Sequence, residues 1–490
     1  MIGPNSKYRV LWTWDYCVFW DDTLFIRGSG ATGENKRRSH FLKDYMKMVD
    51  FCAEHGINGI VIWGALRAHD DGMAQFKTLV KYGKQKGVRI LPGVGVFSYG
   101  GVLFDPREQI SFVEGFPANN PYFLPTWLNE HPELAAVGPD GKPFAMGMYS
   151  TVACPSKKEN LEWFKRSFEW LCDEFDIEGA QIEVGDYAIC YCDECKKRRE
   201  GVAGSPFMVE DMAEPYAAAY DIAKKANPDT WVICETYSSF AAPKLSDVPG
   251  RFGSALSDAQ KRQLSVLPED AIVQWAMDWA LPFRPTQDWT ENVSLPAKNN
   301  IARTHHGSQH TINSIDEWAV YEIGEMVRKS RACGVNGVSI FGEESPASPP
   351  NEANYLVFSE FSGFGNPNPD CDMKLFFKNT LDPLYGGSGM AEEWRRIYIT
   401  AHTIRLDVKH ISEVTLNSPF SFHHNYLEIG RHDLLDLARK MSASEKRAEF
   451  ARLAKEARDI SSHLSGEPCR RWAWLENWLW RAEFVYQNYH

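Results

Sequence analysis

The sequence predicts an α/β protein: a (β/α)8 barrel with long loops after its strands and a helical C-terminal extension. Three observations predict it. Continuous apolar strands alternate with amphipathic helices, the pattern of a parallel sheet covered by helices. The pattern returns eight times before residue 350. The turn after the first strand reads WDYCVFWDD, without the glycines by which an open, doubly wound sheet would cradle a phosphate.

The first strand is YRVLWTW (8–14), apolar on both faces. The amphipathic stretch SHFLKDYMKMVDFCAEH follows, with Ser39 as N-cap and Gly56 as its stop, and leads into INGIVIWG (57–64). The remaining strands are VRILPGVGVF (88–97), GAQIEVG (179–185), TWVICETY (230–237), AIVQWAMDW (271–279), NIARTHHG (300–307) and NGVSIFGE (336–343). The longest insertion spans about residues 97–160 and is rich in Pro, Gly and aromatics; loops this long in a compact domain usually carry function. Beyond residue 350 the pattern turns helical, most clearly in MSASEKRAEFARLAKEARDISSHL (441–464). The expected organisation is a barrel over 1–350 and an extension over 351–490. The Trp-rich tail from Trp472 is expected to pack on the barrel or on a second copy, which makes a homodimer reasonable.

Bulk properties exclude several classes. Hydrophobic residues make up 44% and charged residues 24%, the balance of a water-soluble globular protein. The net charge is −12 and no basic run interleaves with aromatics, so nucleic acid is not an expected partner. No window approaches the apolar length of a membrane span. MIGPNSKYRV lacks a charged, then apolar leader, so the expected location is the cytoplasm, or outside the cell if a leader has been removed. Eleven scattered cysteines read mostly as reduced thiols. Seventeen Trp exceed what a core needs, a surplus common where sugar rings stack.

In such a barrel, reacting groups sit at the C-terminal strand ends. Those positions hold Asp15, Glu183, Asp186, Glu235, Gln274, Asp278, Arg303, His305, His306, Glu343 and Glu344. Internal pairing, for instance of Arg303 with Glu343, accounts for some of them. The whole set, beside Trp14 and Trp63, suits glycoside cleavage, in which one group protonates the leaving oxygen and another activates water or attacks carbon. A Trp-lined pocket raises a carboxyl's pKa by desolvation, and Asp15 lies between Trp14 and Trp20 in sequence. His131, in the long insertion, is either a loop hydrogen-bonder or a proton partner for a carboxylate such as Asp15. CYCDEC places Cys190, Cys192 and Cys195 in a C-x-C-x2-C run, which with Cys154 offers a structural zinc site or simply packed thiols. In THHGSQH the histidines, His310 included, read first as hydrogen-bonders to substrate.

ACPSKKENLEWF, EGAQIEVGDYAICYCDEC and GEESPASPPNEANYLVF resemble a broad group of (β/α)8 exo-glycosidases that includes α-glucuronidases and family-20-like hydrolases. The likeness extends to the HPEL–DGK segment and the helical extension. Within that group, WTWDY together with a His in the third insertion is similar to the inverting exo-sialidases of glycoside hydrolase family 156. That resemblance implies an exo-acting hydrolase that removes a terminal acidic sugar, sialic acid first, by inversion and without a catalytic cofactor. Asp15 and His131 would be its catalytic pair. The family's Arg shortly before the His is missing, since Thr126 and Trp127 stand there, and Arg107, Arg303 or Asn351 would have to hold the sugar carboxylate. The alternative is an α-glucuronidase or β-N-acetylhexosaminidase-like glycosidase that uses a carboxylate pair, and its glucuronidase-like form makes Glu183 the acid and Asp278 the base. A different class stays open, a non-catalytic carbohydrate-binding barrel with Trp stacking platforms.

Overall fold

The computed structural model describes residues 3–15, 18, 20, 38–66, 72–103, 120–143, 152–183, 190–198, 209–235, 264–276, 297–308, 318–365, 368–405 and 440–489. Side chains at 38–39, 209–210, 276, 304–308, 405 and 484–489 fall outside that description. Eight parallel strands close into a barrel in chain order, the last pairing with the first. They are β1 (Tyr8–Trp14), β2 (Gly59–Trp63), β3 (Arg89–Gly95), β4 (Gly179–Glu183), β5 (Trp231–Glu235), β6 (Ile272–Ala276), β7 (Asn299–Ser308) and β8 (Gly337–Gly342). Every strand predicted from the sequence is present, and closure rules out the open sheet.

The outer layer includes α1 (Arg38–Glu54), α2 (Gly72–Lys86), α3 (Leu124–Glu130), α4 (Lys158–Phe175), α5 (Asp193–Arg198), α6 (Val209–Ala226), α7 (Val320–Ala332) and α8 (Pro349–Phe361). The first helix starts one residue before Ser39, which therefore lies in its first turn rather than ahead of it. Gly56 has φ +66, the left-handed stop expected after that helix. The long insertion folds α3 and a short 3-10 turn at Pro132–Leu134 before α4 begins.

Strand residues alternate between two cores. Leu11, Ile60 and Ile62 face the helices, while Val10, Trp12, Trp14, Val61, Trp63, Leu91, Ile233, Ile272, Ile301 and Phe341 fill the barrel. Large indoles fit inside because glycines face them. A Cβ at Gly93 would stand 2.3 Å from the Trp63 ring, and one at Gly59 3.3 Å from that of Trp231.

After β8, α8 packs against α7 and β7 as the eighth outer helix. The extension follows as α9 (Met373–Phe376), α10 (Asp382–Tyr385), α11 (Met390–Arg405), α12 (Ala443–Ser461) and α13 (Gly466–Tyr489). A capping box opens α12, Ser442 and Glu445 satisfying each other's backbone N–H. The Trp-rich helix packs on its own chain: Trp472 Nε1 donates to Tyr385 O at 2.8 Å, and Arg471 pairs with Glu352 of α8 at 2.6 Å. At the other terminus, Arg331 of α7 donates to Gly3 O at 3.0 Å and to Pro4 O at 3.1 Å. Among the described residues no helix is long and apolar enough to cross a membrane.

Candidate active site and cysteine centre

The C-terminal mouth of the barrel is walled by aromatics. Trp14 and Trp63 are paired in register on β1 and β2, with ring centroids 5.8 Å apart. Tyr99, from the loop after β3, closes the group at 5.2 Å from Trp63 and 5.7 Å from Trp14. Its φ of +55 is unusual for a residue with a side chain and costs on the order of 1 kcal/mol or more, held by the packing around it. Tyr99 was not singled out in the sequence; the signal was FSYGG, whose glycines 100 and 101 also take positive φ.

Three buried carboxylate positions rim this wall. Asp15 follows β1 directly, and its N–H donates to Trp63 O at 2.8 Å. Glu183 is the last residue of β4, opposite Gly95 of β3, and its carbonyl accepts from Val96 N–H at 3.2 Å. Glu343 follows β8 and is wholly buried, with Glu344 beside it, whose carbonyl accepts the Tyr355 hydroxyl. Asn351 is buried in the first turn of α8.

Beneath the rim lies a polar network inside the barrel. Trp63 Nε1 donates to Gln181 Oε1 at 3.2 Å, and Gln181 Nε2 donates to Glu235 Oε2 at 2.8 Å. Gln274 Nε2 donates to the same oxygen, and Arg303 Nε lies 3.2 Å from it. The Arg303 guanidinium also rests over the rings of Trp12 and Phe341, at 5.3 and 5.5 Å. The Tyr216 hydroxyl donates to the Glu235 carbonyl, and burial pushes that phenol well above its ordinary range. Glu235 and Arg303 thus form a buried ion pair below the mouth.

His131 lies in the described part of the long insertion. It ends α3, half-exposed, with its ring 4.0 Å from Trp127 and Nδ1 3.7 Å from Glu133. Trp127 in turn donates to Asn160 in the first turn of α4 at 2.9 Å. These contacts do not bring His131 together with Asp15. Asp186, Asp278, Arg107 and His310 lie outside the described residues. His305 and His306 are on β7, with only their backbone described.

The cysteine run does assemble. Cys154, Cys190, Cys192 and Cys195 place their sulfurs within 4.8 Å of one another, a group that could hold a metal ion. Cys154 Sγ stands 3.6 Å from Cys190 and 3.7 Å from both Cys192 and Cys195. Hydrogen bonds from Cys154 and Cys195 hold the Cys190 thiol down to about 3, and the same contacts push Cys154 up. The described cysteines are free thiols.

No family model matches the sequence, and no curated protein matches it. Solved structures share similarity at low identity. A glycoside hydrolase family 138 enzyme targeting pectin rhamnogalacturonan II is 9% identical, with 99% of this chain and 57% of that one covered at a TM-score of 0.49. An O-GlcNAc hydrolase from Thermobaculum terrenum is 10% identical over 98% of this chain and 82% of its own, at 0.47. A family 20 β-N-acetylglucosaminidase is 10% identical over 79% and 76%, at 0.42. The site itself carries the functional argument.

Proposed function

We propose that the protein is an exo-acting glycoside hydrolase that uses carboxylates at the barrel mouth. The observation that carries this reading is the gathering of buried Asp15, Glu183 and Glu343 at the C-terminal ends of β1, β4 and β8, beside Trp14, Trp63 and Tyr99. In a closed barrel of eight strands, β4 and β8 stand on opposite walls, and β1 is next to β8. Glu183 therefore stands across the mouth from the end of β8 that carries Glu343 and the end of β1 that carries Asp15. We assign Glu183 as the acid that protonates the leaving oxygen, and Glu343 or Asp15 as the base that activates water from the other side. A separation of roughly 6.5–9.5 Å between the two carboxyls leaves room for that water and gives inversion. The aromatic wall stacks on the sugar's apolar face and keeps bulk water out. No cofactor enters the step.

The described contacts of His131 run to Trp127 and Glu133, which favours this pair over Asp15 with His131. The substrate class follows from charge. Asp15, Glu183, Glu343 and Glu344 are acidic, and Arg303 is already paired with Glu235, so we propose a neutral terminal sugar, with an N-acetylhexosaminide first among them. The second reading, a terminal acidic sugar such as sialic acid, is favoured by the position of Asp15 directly after WTW on β1.

Turnover of aryl β-N-acetylhexosaminide, β-glucoside, α-glucuronide and α-sialoside tests both. Hexosaminide or glucoside cleavage lost in Glu183→Gln supports the carboxylate pair. Sialoside cleavage lost in Asp15→Asn and His131→Ala overturns it in favour of the second reading. Binding of glycan without turnover of any substrate makes the barrel a carbohydrate-binding protein instead.

A further inference from the structure

We propose that Cys154, Cys190, Cys192 and Cys195 bind one structural zinc ion, which pins the far end of the loop after β4 to the long β3–β4 insertion. The proposal is independent of the catalytic reading. Four thiolates around zinc at about 2.3 Å form a tetrahedron whose edges are about 3.8 Å. The sulfur separations of 3.6, 3.7 and 3.7 Å from Cys154 fit such edges. Cys154 is nearly equidistant from its three neighbours, as one vertex of a tetrahedron is and as one half of a disulfide is not.

The surroundings are those of a metal–thiolate centre. Val137 N–H points at Cys190 Sγ and Cys195 N–H at Cys192 Sγ, each at 3.4 Å, so backbone donors stabilise negative sulfur. Four thiolates and one dication leave two negative charges. Arg198 Nη2 stands 3.4 Å from Cys195 Sγ to offset them, and is itself fixed by Asp211 at 2.9 Å and by Ser156 at 2.8 Å. An all-sulfur tetrahedral site selects zinc or iron, and zinc binds such divalent sites more tightly than ferrous iron.

The ion joins parts of the chain that have little regular structure of their own. Cys154 N–H donates to Leu134 O at 2.9 Å and Tyr191 N–H to Val137 O at 2.8 Å, so the insertion, the approach to α4 and the start of α5 meet at the four sulfurs. The loop that leaves β4 at Glu183 comes back into this junction at Cys190. Zinc therefore fixes one end of the segment that begins at the proposed acid.

The test uses the full chain grown with both zinc and iron supplied. Elemental analysis is expected to find about one zinc per chain. Exchange for cobalt is expected to give the intense visible and charge-transfer bands of a tetrahedral tetrathiolate. Arg198→Gln is expected to weaken zinc retention about 10–100-fold while keeping the ligands. Cys469→Ser, at a thiol far along the chain, is expected to keep the full zinc content. Because Cys190→Ser or Cys154→Ser could fail to fold, the wild type is also titrated with an organomercurial, and zinc release is expected to finish when four thiols have reacted. A stoichiometric iron centre, a metal-free protein whose four thiols alkylate equally fast with and without added zinc, or a disulfide among the four would each overturn the proposal.

Discussion

The two ends of the barrel interior are built from the same strands and differ in almost everything else. Towards the N-terminal end of the strands the inward positions are Val10, Val61, Leu91, Ile233, Ile272 and Ile301, all apolar and buried. One pleat period further on, β5, β6 and β7 carry Glu235, Gln274 and Arg303, β4 carries Gln181 and then Glu183 at the rim, and β1 and β2 carry Trp12 and Trp63. Hydrophobic burial needs only volume, so the first end is filled by branched side chains of ordinary shape. The second end buries charge and must satisfy each polar atom it hides. What separates a holding layer from a working layer here is a shift of two residues along β5, β6 and β7.

That division can be broken experimentally. The largest effect is expected at the rim: Glu183→Gln should lower kcat about 10²–10⁴-fold with the melting temperature nearly unchanged, read from steady-state turnover beside a thermal scan. One layer down, Glu235→Leu should destabilise by about 3–5 kcal/mol in urea unfolding, because it leaves the Arg303 guanidinium buried without its carboxylate. Glu235→Leu with Arg303→Met should recover much of that loss; no recovery would show that the pair is not a unit. At the apolar end, Leu91→Ala should cost about 2–5 kcal/mol and leave KM and kcat as they were. A change in turnover there would erase the distinction between the layers.

The smallest expected effect concerns pH. His55, just after α1, lies near the apolar end, and burial lowers its pKa below 6.5, ahead of the opposing charges of Glu54 and Glu352. The unfolded chain then takes up a proton near pH 6.5 that the folded chain refuses. Stability contributed by neutral His55 is present above that pH and is lost as pH falls towards the lower folded value. His55→Gln should flatten that part of the acid limb of stability without moving the pH profile of turnover.

The strands were legible because most are short apolar runs between amphipathic helices, several of them bracketed by glycine, and a closed parallel barrel follows from counting them. The strand-end acids were legible for the same reason, since Asp15, Glu183 and Glu343 interrupt apolar runs where such strands stop. Tyr99 was hidden because nothing in its residue type announces a positive φ; the neighbouring glycines only permit it. The pairing of Arg303 with Glu235 was hidden because it joins strands five and seven across the barrel interior, and sequence distance says nothing about which inward positions share a layer. His131, placed in the insertion by the sequence, rests its ring on Trp127. The cysteine run gave three ligands at sight and Cys154 as a fourth candidate, and the fold brings all four sulfurs together.

The ion pair between Arg471 and Glu352 has a consequence for how the chain is made. The two residues are 119 positions apart, and the glutamate is synthesised first. At about 5–20 residues per second, α8 waits roughly 6–24 s on the ribosome before its arginine emerges. During that interval the Glu352 carboxylate stays in water, and the first turn of α8 lacks the cap that α13 later places on it. A release or pause before residue 471 would leave a chain with all of its strands made and this contact unmade.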